Sequence, residues 1–328
     1  MKKTKEFLLK LYHFSGTWTG TIVIVLFLIF FVAQSFVIPS GSMKRTLLIG
    51  DFLFAKKFSY GIPTPHLPWL EIPIVPDFDG DGHLFGGERP KREDIVIFRY
   101  PQNEKVHYVK RCVAVGGDEI LYVENRLLIH FHEGDEYIKS NYPSNKILKL
   151  NDKLWVVNPY QAKYPGIQYK PEGESSIFEI LLNYVLYNKD IDMHPVFVHG
   201  LDAPAYKLEQ KPVNALYKKV EEDHFYMIGD NRDNSNDSRF WGSVPYRLVV
   251  GKPWAIYFSV EHRSYDEVLK GEGFGGIGRD HARLGEVCGK IELDSKECEA
   301  LWNKERFSIR WGRIGRNIDT LQFEKPIE

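Results

Sequence analysis

Charge of one sign is what this chain most plainly lacks. Lys+Arg 43 against Asp+Glu 44 leaves a formal net charge of -1 over 328 residues, so nothing electrostatic recommends nucleic acid as a partner. No internal repeat or low-complexity tract is present, which sets aside solenoids and disordered arrays. Long helical periodicity is scarce after the N-terminus, which argues against a bundle. No Gly-x-Ser-x-Gly elbow occurs, although His 11 is not few, so a histidine-based hydrolase finds little support. Cysteines number only 3. Cys288 and Cys298 lie near enough to form a disulfide in an oxidising compartment, while Cys112 stands alone in an apolar, strand-like segment as a buried thiol.

What is present begins with a membrane signal. Lys2, Lys3, Lys5 and Lys10 precede a stretch from Leu11 to Met43 without a single charged side chain, and Ile22 to Ala33 is continuously apolar. A bilayer core needs about 20 mostly apolar helical residues, and Thr17 to Ile38 supplies them. The lysines predict a cytoplasmic N-terminus with the rest of the chain outside. The same segment, with Ala33-Gln34-Ser35 as a small-x-small site, also fits a cleavable secretory signal. Both readings export the remainder.

After this segment the pattern is β. Asp94 to Phe98, Val106 to Val115, Ile120 to Val123, Leu127 to His130, Phe225 to Ile228 and Pro253 to Phe258 are rich in Val, Ile, Tyr and Phe and are bounded by turns. The expected fold is therefore mainly β and antiparallel. The expected organisation is a cytoplasmic N-terminus (1–14), a transmembrane anchor helix (15–38) and a first core part (39–131) with a proline-rich excursion (61–92). An inserted second β-rich lobe (132–223), a second core part (224–261), an insertion with the cysteine pair (262–305) and a C-terminal core part (306–328) follow. Asp294 to Arg306 is the best soluble helix, with Asp294 or Ser295 as its cap.

Three segments carry chemistry. Ser42 lies in Ile38-Pro39-Ser40-Gly41-Ser42-Met43, and four residues extend at most about 14 Å, so a nucleophile there would work at the membrane surface. In a strand Tyr108, Lys110, Cys112 and Ala114 share one face while His107, Val109, Arg111 and Val113 share the other. Lys110 thus sits among apolar neighbours, where burial would lower its pKa and make it a base. A surface lysine on an edge strand is the commoner fate of that residue type. Gly229 to Gly242 is dense in Asp, Asn, Arg and Ser immediately after a hydrophobic strand, and reads either as an Asx-rich turn or as a fixed polar network.

These segments together resemble the bacterial type I signal peptidases. Pro39-Ser40-Gly41-Ser42-Met43 with Thr46-Leu47 and Gly50-Asp51 is similar to their nucleophile segment. Tyr108-Val109-Lys110-Arg111 with Val115-Gly116-Gly117-Asp118 is similar to their lysine segment, and Gly229 to Ser235 with Asp237-Ser238-Arg239 and Trp241-Gly242 to their longest signature. Pro90-Lys91-Arg92 with Asp94-Ile95-Val96, and Arg313-Ile314-Gly315, also fit, and all appear in the family's order. One departure is local: Lys44 and Arg45 stand before Thr46 where the family has a residue and then proline.

The resemblance implies a core of coiled antiparallel sheets with an inserted lobe, anchored as a single pass in the inner membrane. It implies Ser42 as nucleophile and Lys110 as general base, with Ser40 and the Ser42 N–H as the oxyanion hole and Ser235 orienting the lysine. Asp230 with Arg111 and Asp237 with Arg239 are implied structural ion pairs. Phe36, Ile38, Tyr108 and Val109 are implied to shape the substrate pocket for small-x-small cleavage sites. Implied partners are exported preproteins and membrane lipid, with the chain a monomer and no nucleic acid, cofactor or catalytic metal. The alternatives are a membrane-anchored maturation protease with few substrates, or a catalytically silent binding protein, whose mark would be loss of Ser42 or Lys110. Asp77, Asp79, Asp81, Gly82, Leu84 and Glu88 also fit the spacing of a calcium loop, although Pro73, Pro76 and Pro90 deny it flanking helices.

Overall fold

The computed structural model describes residues 6, 10, 12–27, 33–67, 72–77, 79–170, 176–187, 191–262 and 307–326. Its strands are β1 (Ala33–Val37), β2 (Asp51–Lys56), β3 (Gly61–Pro63), β4 (His83–Gly86), β5 (Ile95–Tyr100), β6 (Asn103–Val115), β7 (Glu119–Val123), β8 (Arg126–His130) and β9 (Ile147–Leu150). They continue as β10 (Lys153–Val157), β11 (His194–Val196), β12 (Tyr206–Leu208), β13 (Lys211–Val213), β14 (Ala215–Lys219), β15 (His224–Ile228), β16 (Val244–Pro245), β17 (Val249–His262) and β18 (Phe307–Ile309). The expected helix at Asp294 to Arg306, the Gly271 to Gly278 stretch and the Cys288–Cys298 pair lie outside the described residues. Cys112 is a buried free thiol.

An eight-stranded sheet runs in the order β1-β2-β17-β5-β6-β15-β16, with β18 against β17. All its pairings are antiparallel. The strand β17 ties the two ends of the chain together, pairing first with β5, then β2, then β18. Its register slips at Val249/Gly251, Pro253/Ala255 and Ile256/Phe258. Each slip inserts an unpaired residue and increases local twist, so the sheet coils instead of lying flat.

A second, six-stranded antiparallel sheet runs β11-β14-β7-β8-β10-β9. The lobe expected over 132–223 draws its central strands β7 and β8 from before residue 132. Local residue pattern is the same in either sheet, and only the pairing of β7 with β14 assigns it. The two sheets share a core, in which Val113 and Tyr226 of the first meet Ile120 and Ile129 of the second and Phe178 of the helix Ile177–Tyr187.

The N-terminal segment departs from its expected form. A helix spans Trp18–Phe27, about 15 Å at the usual rise, and its side chains from Ile22 to Phe27 are exposed. Among the described residues no helix is long and apolar enough to cross a membrane. Ala33–Val37, expected within the anchor at 15–38, forms β1 and pairs in register from Ala33 with Lys56 to Val37 with Phe52. A continuous apolar run carries no period that would separate strand from helix, so sequence alone could not place this boundary.

Candidate active site

The site forms where β1 hands over to a tight turn and faces β6. A single 3₁₀ turn spans Gly41–Met43, with Pro39 and Ser40 leading into it. Met43 and Leu47, which follow the serine, are fully buried and pin the turn to the core of Leu53, Ile95 and Ile256. This leaves Ser42 with its hydroxyl toward β6, where Lys110 Nζ lies 2.5 Å from Ser42 Oγ. Lys110 is 4% exposed. Burial pushes its ammonium down to about 8. The carboxylates of Asp237 and Asp230 pull upward against that, and Arg239 adds to the depression. Its neighbours on the same strand face, Cys112 and Ala114, are fully buried, and its nitrogen lies 5.2 Å from the Tyr108 ring centre.

The segment after β15 forms the floor. Asp230 accepts from Arg111 Nε and Nη2, both at 2.8 Å, and from Thr46 Oγ1 at 2.6 Å. Asp237 caps the short helix Ser238–Trp241 and is gripped by Arg239 Nε and Nη2, again at 2.8 Å. All four charged groups are fully buried. Burial alone would raise both carboxyls, but the facing guanidiniums outweigh it and hold them below the usual carboxylate range. Arg111 further donates to the Glu93 carbonyl and to Gln322 Oε1 and stacks on Tyr164. Such a network fixes β6, and with it Lys110, in one arrangement.

Close approach explains two glycines. A Cβ on Gly229 would lie 2.5 Å from the Ser42 carbonyl oxygen and 2.3 Å from Ser235 Oγ, and one on Gly166 would lie 2.1 Å from Thr46 Oγ1. Both positions let backbone pack directly against the Ser42 to Thr46 segment.

Above this floor is a cavity of about 390 Å³. Phe36, Ile38 and Ser40 line one side, Tyr108, Val109 and Lys110 the other, with Ser42 and Ser235 at its base. Ser40 Oγ lies 3.4 Å from Ser42 Oγ. The Ser235 hydroxyl is buried and makes no hydrogen bond among the described residues, so it is not joined to Lys110 here. It is still close enough to Asp237 to help hold that carboxyl down. His107 also lines the cavity, on the strand face opposite Lys110. Burial, with the charges of Arg99, Lys57 and His66, lowers it to about 4, so it is a neutral wall.

Several contributors escaped the sequence reading. Asn231 donates its backbone N–H to the Ser42 carbonyl and its side-chain amide to the Gly41 carbonyl, both at 3.0 Å. In the sequence it is one letter of the Gly229 to Ser235 signature, with nothing to set it apart from its Asx-rich neighbours. Gln168, on the segment alongside it, had no signal at all. Asp51 and Arg313 were legible only as motif letters; they form a buried pair that also takes in Ser259 and the Leu48 N–H, clamping the nucleophile segment to the C-terminal part.

Residues of the calcium spacing make turn contacts. Asp77 accepts from the backbone of Gly80 and Gly82, and Asp81 from that of His83. Elsewhere Asp118, His132 and Glu133 come close enough together to hold an ion. Arg92 Nη2 already lies within 2.6–2.9 Å of all three, so a guanidinium fills that space.

A hydroxyl against a buried amine of depressed pKa, at the base of an apolar groove beside open strand edges, is an arrangement chemically able to serve a hydrolase of the serine–lysine type. The chain belongs to the signal peptidase family, peptidase S26, which matches residues 11–258. It is 39% identical over 322 residues to the Signal peptidase I of Helicobacter pylori strain J99, covering 97% of this chain and 96% of that one. The Signal peptidase I of Pseudomonas aeruginosa is 32% identical over 260 residues, 76% of this chain and 73% of that one. That of Aquifex aeolicus is 30% identical over 242 residues, 73% and 80% respectively.

Proposed function

We propose that this serine endopeptidase removes N-terminal signal peptides from exported preproteins, with Ser42 as nucleophile and Lys110 as general base. The observation that carries this reading is the 2.5 Å approach of Lys110 Nζ to Ser42 Oγ inside a buried site. In the neutral form the lysine lone pair takes the Ser42 proton as Oγ attacks the scissile carbonyl. The Ser40 hydroxyl and the Ser42 N–H hold the oxyanion. The new ammonium then protonates the leaving amine, and Lys110 next deprotonates a water that hydrolyses the Ser42 ester. Ser235, which lines the same cavity, orients the lysine nitrogen in this proposal.

The groove suits an extended peptide. Among the described residues β1 is the outer strand of its sheet, and β15 covers β6 only from Arg111 onward. The cavity therefore lies between two strand edges, where a substrate segment would add as a further strand. Phe36, Ile38, Tyr108 and Val109 leave room for small side chains near the cut. The exposed apolar helix Trp18–Phe27 belongs, in this reading, to a single-pass anchor. It keeps the N-terminus cytoplasmic and rests the monomeric catalytic part on lipid at the outer face of the inner membrane.

The test is incubation of the detergent-solubilised full chain with several unrelated preproteins beside a Ser42→Ala control. Cleavage after small-x-small motifs by wild type alone is expected. Cleavage of none of them, or equal cleavage by the control, overturns the proposal.

A further inference from the structure

We propose that Arg45 is a positioning residue for the nucleophile, acting through Gln168 and Asn231. The inference rests on the reading of Ser42 as nucleophile and adds residues which that reading does not contain. Arg45 Nη1 donates to Gln168 Oε1 at 3.2 Å. Gln168 Nε2 donates to Asn231 Oδ1 at 3.3 Å. Asn231 Nδ2 donates to the Gly41 carbonyl at 3.0 Å, and its N–H to the Ser42 carbonyl at 3.0 Å. The contacts leave the nucleophile segment at Arg45, cross two other segments and return to the nucleophile itself.

The direction of this relay is fixed at both ends. A guanidinium can only donate, so the Gln168 amide must turn its oxygen toward Arg45 and its NH₂ toward Asn231. Asn231 must then receive on Oδ1 and present its own NH₂ to the Gly41 carbonyl, which can only accept. Each amide has one orientation that satisfies both neighbours, so the relay holds the Gly41 carbonyl through the Asn231 side chain while the Asn231 backbone N–H holds the Ser42 carbonyl. The backbone supports it: Gln168 N–H donates to the Asp230 carbonyl and the Gln168 carbonyl accepts from Arg232, each at 2.9 Å.

Arg45 holds a left-handed backbone, with φ 79, which an ordinary side chain adopts only where its surroundings over-determine it. Proline, which the resembling family carries at this point, cannot reach that φ. A turn built with arginine here therefore differs from one built with proline, and the guanidinium is what ties it down.

The experiment compares Arg45→Met, Arg45→Gly, Arg45→Lys and Gln168→Leu in the full solubilised chain, measuring kcat, KM and Tm on one preprotein with Ser42→Ala alongside. Arg45→Gly keeps the left-handed backbone easy while removing the donor, so it separates strain from side-chain contact. Arg45→Met, Arg45→Gly and Gln168→Leu are expected to lose about tenfold in kcat, as small misplacements of reacting groups do, with KM nearly unchanged. Arg45→Lys, which still only donates, is expected to recover most of the rate. The Arg45→Met/Gln168→Leu double variant should be no slower than either single, since both cut the same relay. Wild-type kcat in Arg45→Gly, additive losses in the double, or a fall in Tm with kcat per folded molecule unchanged overturns the inference. If Ser42→Ala is inactive while Arg45→Gly is fully active, only the relay fails. If Ser42→Ala stays active, the nucleophile reading fails and the relay with it.

Discussion

Replacing Lys110 by methionine should make the protein more stable at neutral pH while destroying its activity. The folded state holds this lysine at about 8 in place of its ordinary 10.5. At roughly 1.4 kcal/mol per unit, that depression costs the charged folded form about 3 kcal/mol. The sign follows from proton counts. Between about pH 8 and 10.5 the unfolded chain carries a proton on this group that the folded chain has released, so wild-type stability rises through that window. Below it both states are protonated and the full penalty stands. Methionine matches the stem in length and carries no charge, so it removes the penalty and forfeits one hydrogen bond to Ser42, worth about 1 kcal/mol. A gain of about 2 kcal/mol at pH 7 is therefore expected, shrinking to nothing or reversing by pH 10.5. Denaturant unfolding of both proteins from pH 6 to 10.5 measures it, because groups common to both cancel in the difference. A methionine variant no more stable than wild type at pH 7, or a gap that stays constant across the range, would refute the argument that burial of a charge is what activates Lys110.

Removing one partner of a buried ion pair strands the other, so Asp230→Ala should destabilise the fold by about 3–5 kcal/mol, read as a large drop in Tm. Gly229→Ala should lose most activity, because the new methyl meets the Ser42 carbonyl and Ser235 Oγ at distances no side chain tolerates; wild-type kcat in this variant contradicts that placement. N-terminal sequencing of protein purified from membranes should begin ahead of Phe36 under the proposal that the apolar segment is kept as an anchor, whereas a chain starting at Phe36 overturns that proposal.

The strands were legible because a half-buried pleated surface imposes its own alternation on the sequence. β5, β6, β7, β8 and β15 all fall within a few residues of their expected ranges. Which sheet each strand joins was not legible, as β7 and β8 illustrate, because that depends on partners distant in sequence. The apolar N-terminal run misled at its end for a different reason: uniform hydrophobicity has no period, so Ala33–Val37 read as helix and formed β1. At the site, Ser42 and Lys110 could be singled out because the segments that flank them resemble a known family's motifs in order, whereas a serine in a turn or a lysine in a strand is by itself a weak signal. Asn231 and Gln168 could not, since an amide acquires its role only from what stands across from it. Ser235, implied by the resemblance to orient the lysine, lines the same cavity but makes no hydrogen bond to Lys110 in this structure, a matter of rotamer that composition cannot express.

The pH dependence of kcat/KM tests the central claim most directly, because it titrates the base in the free enzyme. For wild type the account predicts a single acidic limb with its midpoint near 8, set by Lys110. The limb should be unmoved in His107→Ala, since that histidine is lowered to about 4 and lies on the other strand face. A limb in the ordinary histidine range that disappears in His107→Ala, with Lys110→Ala retaining activity, would contradict the serine–lysine mechanism.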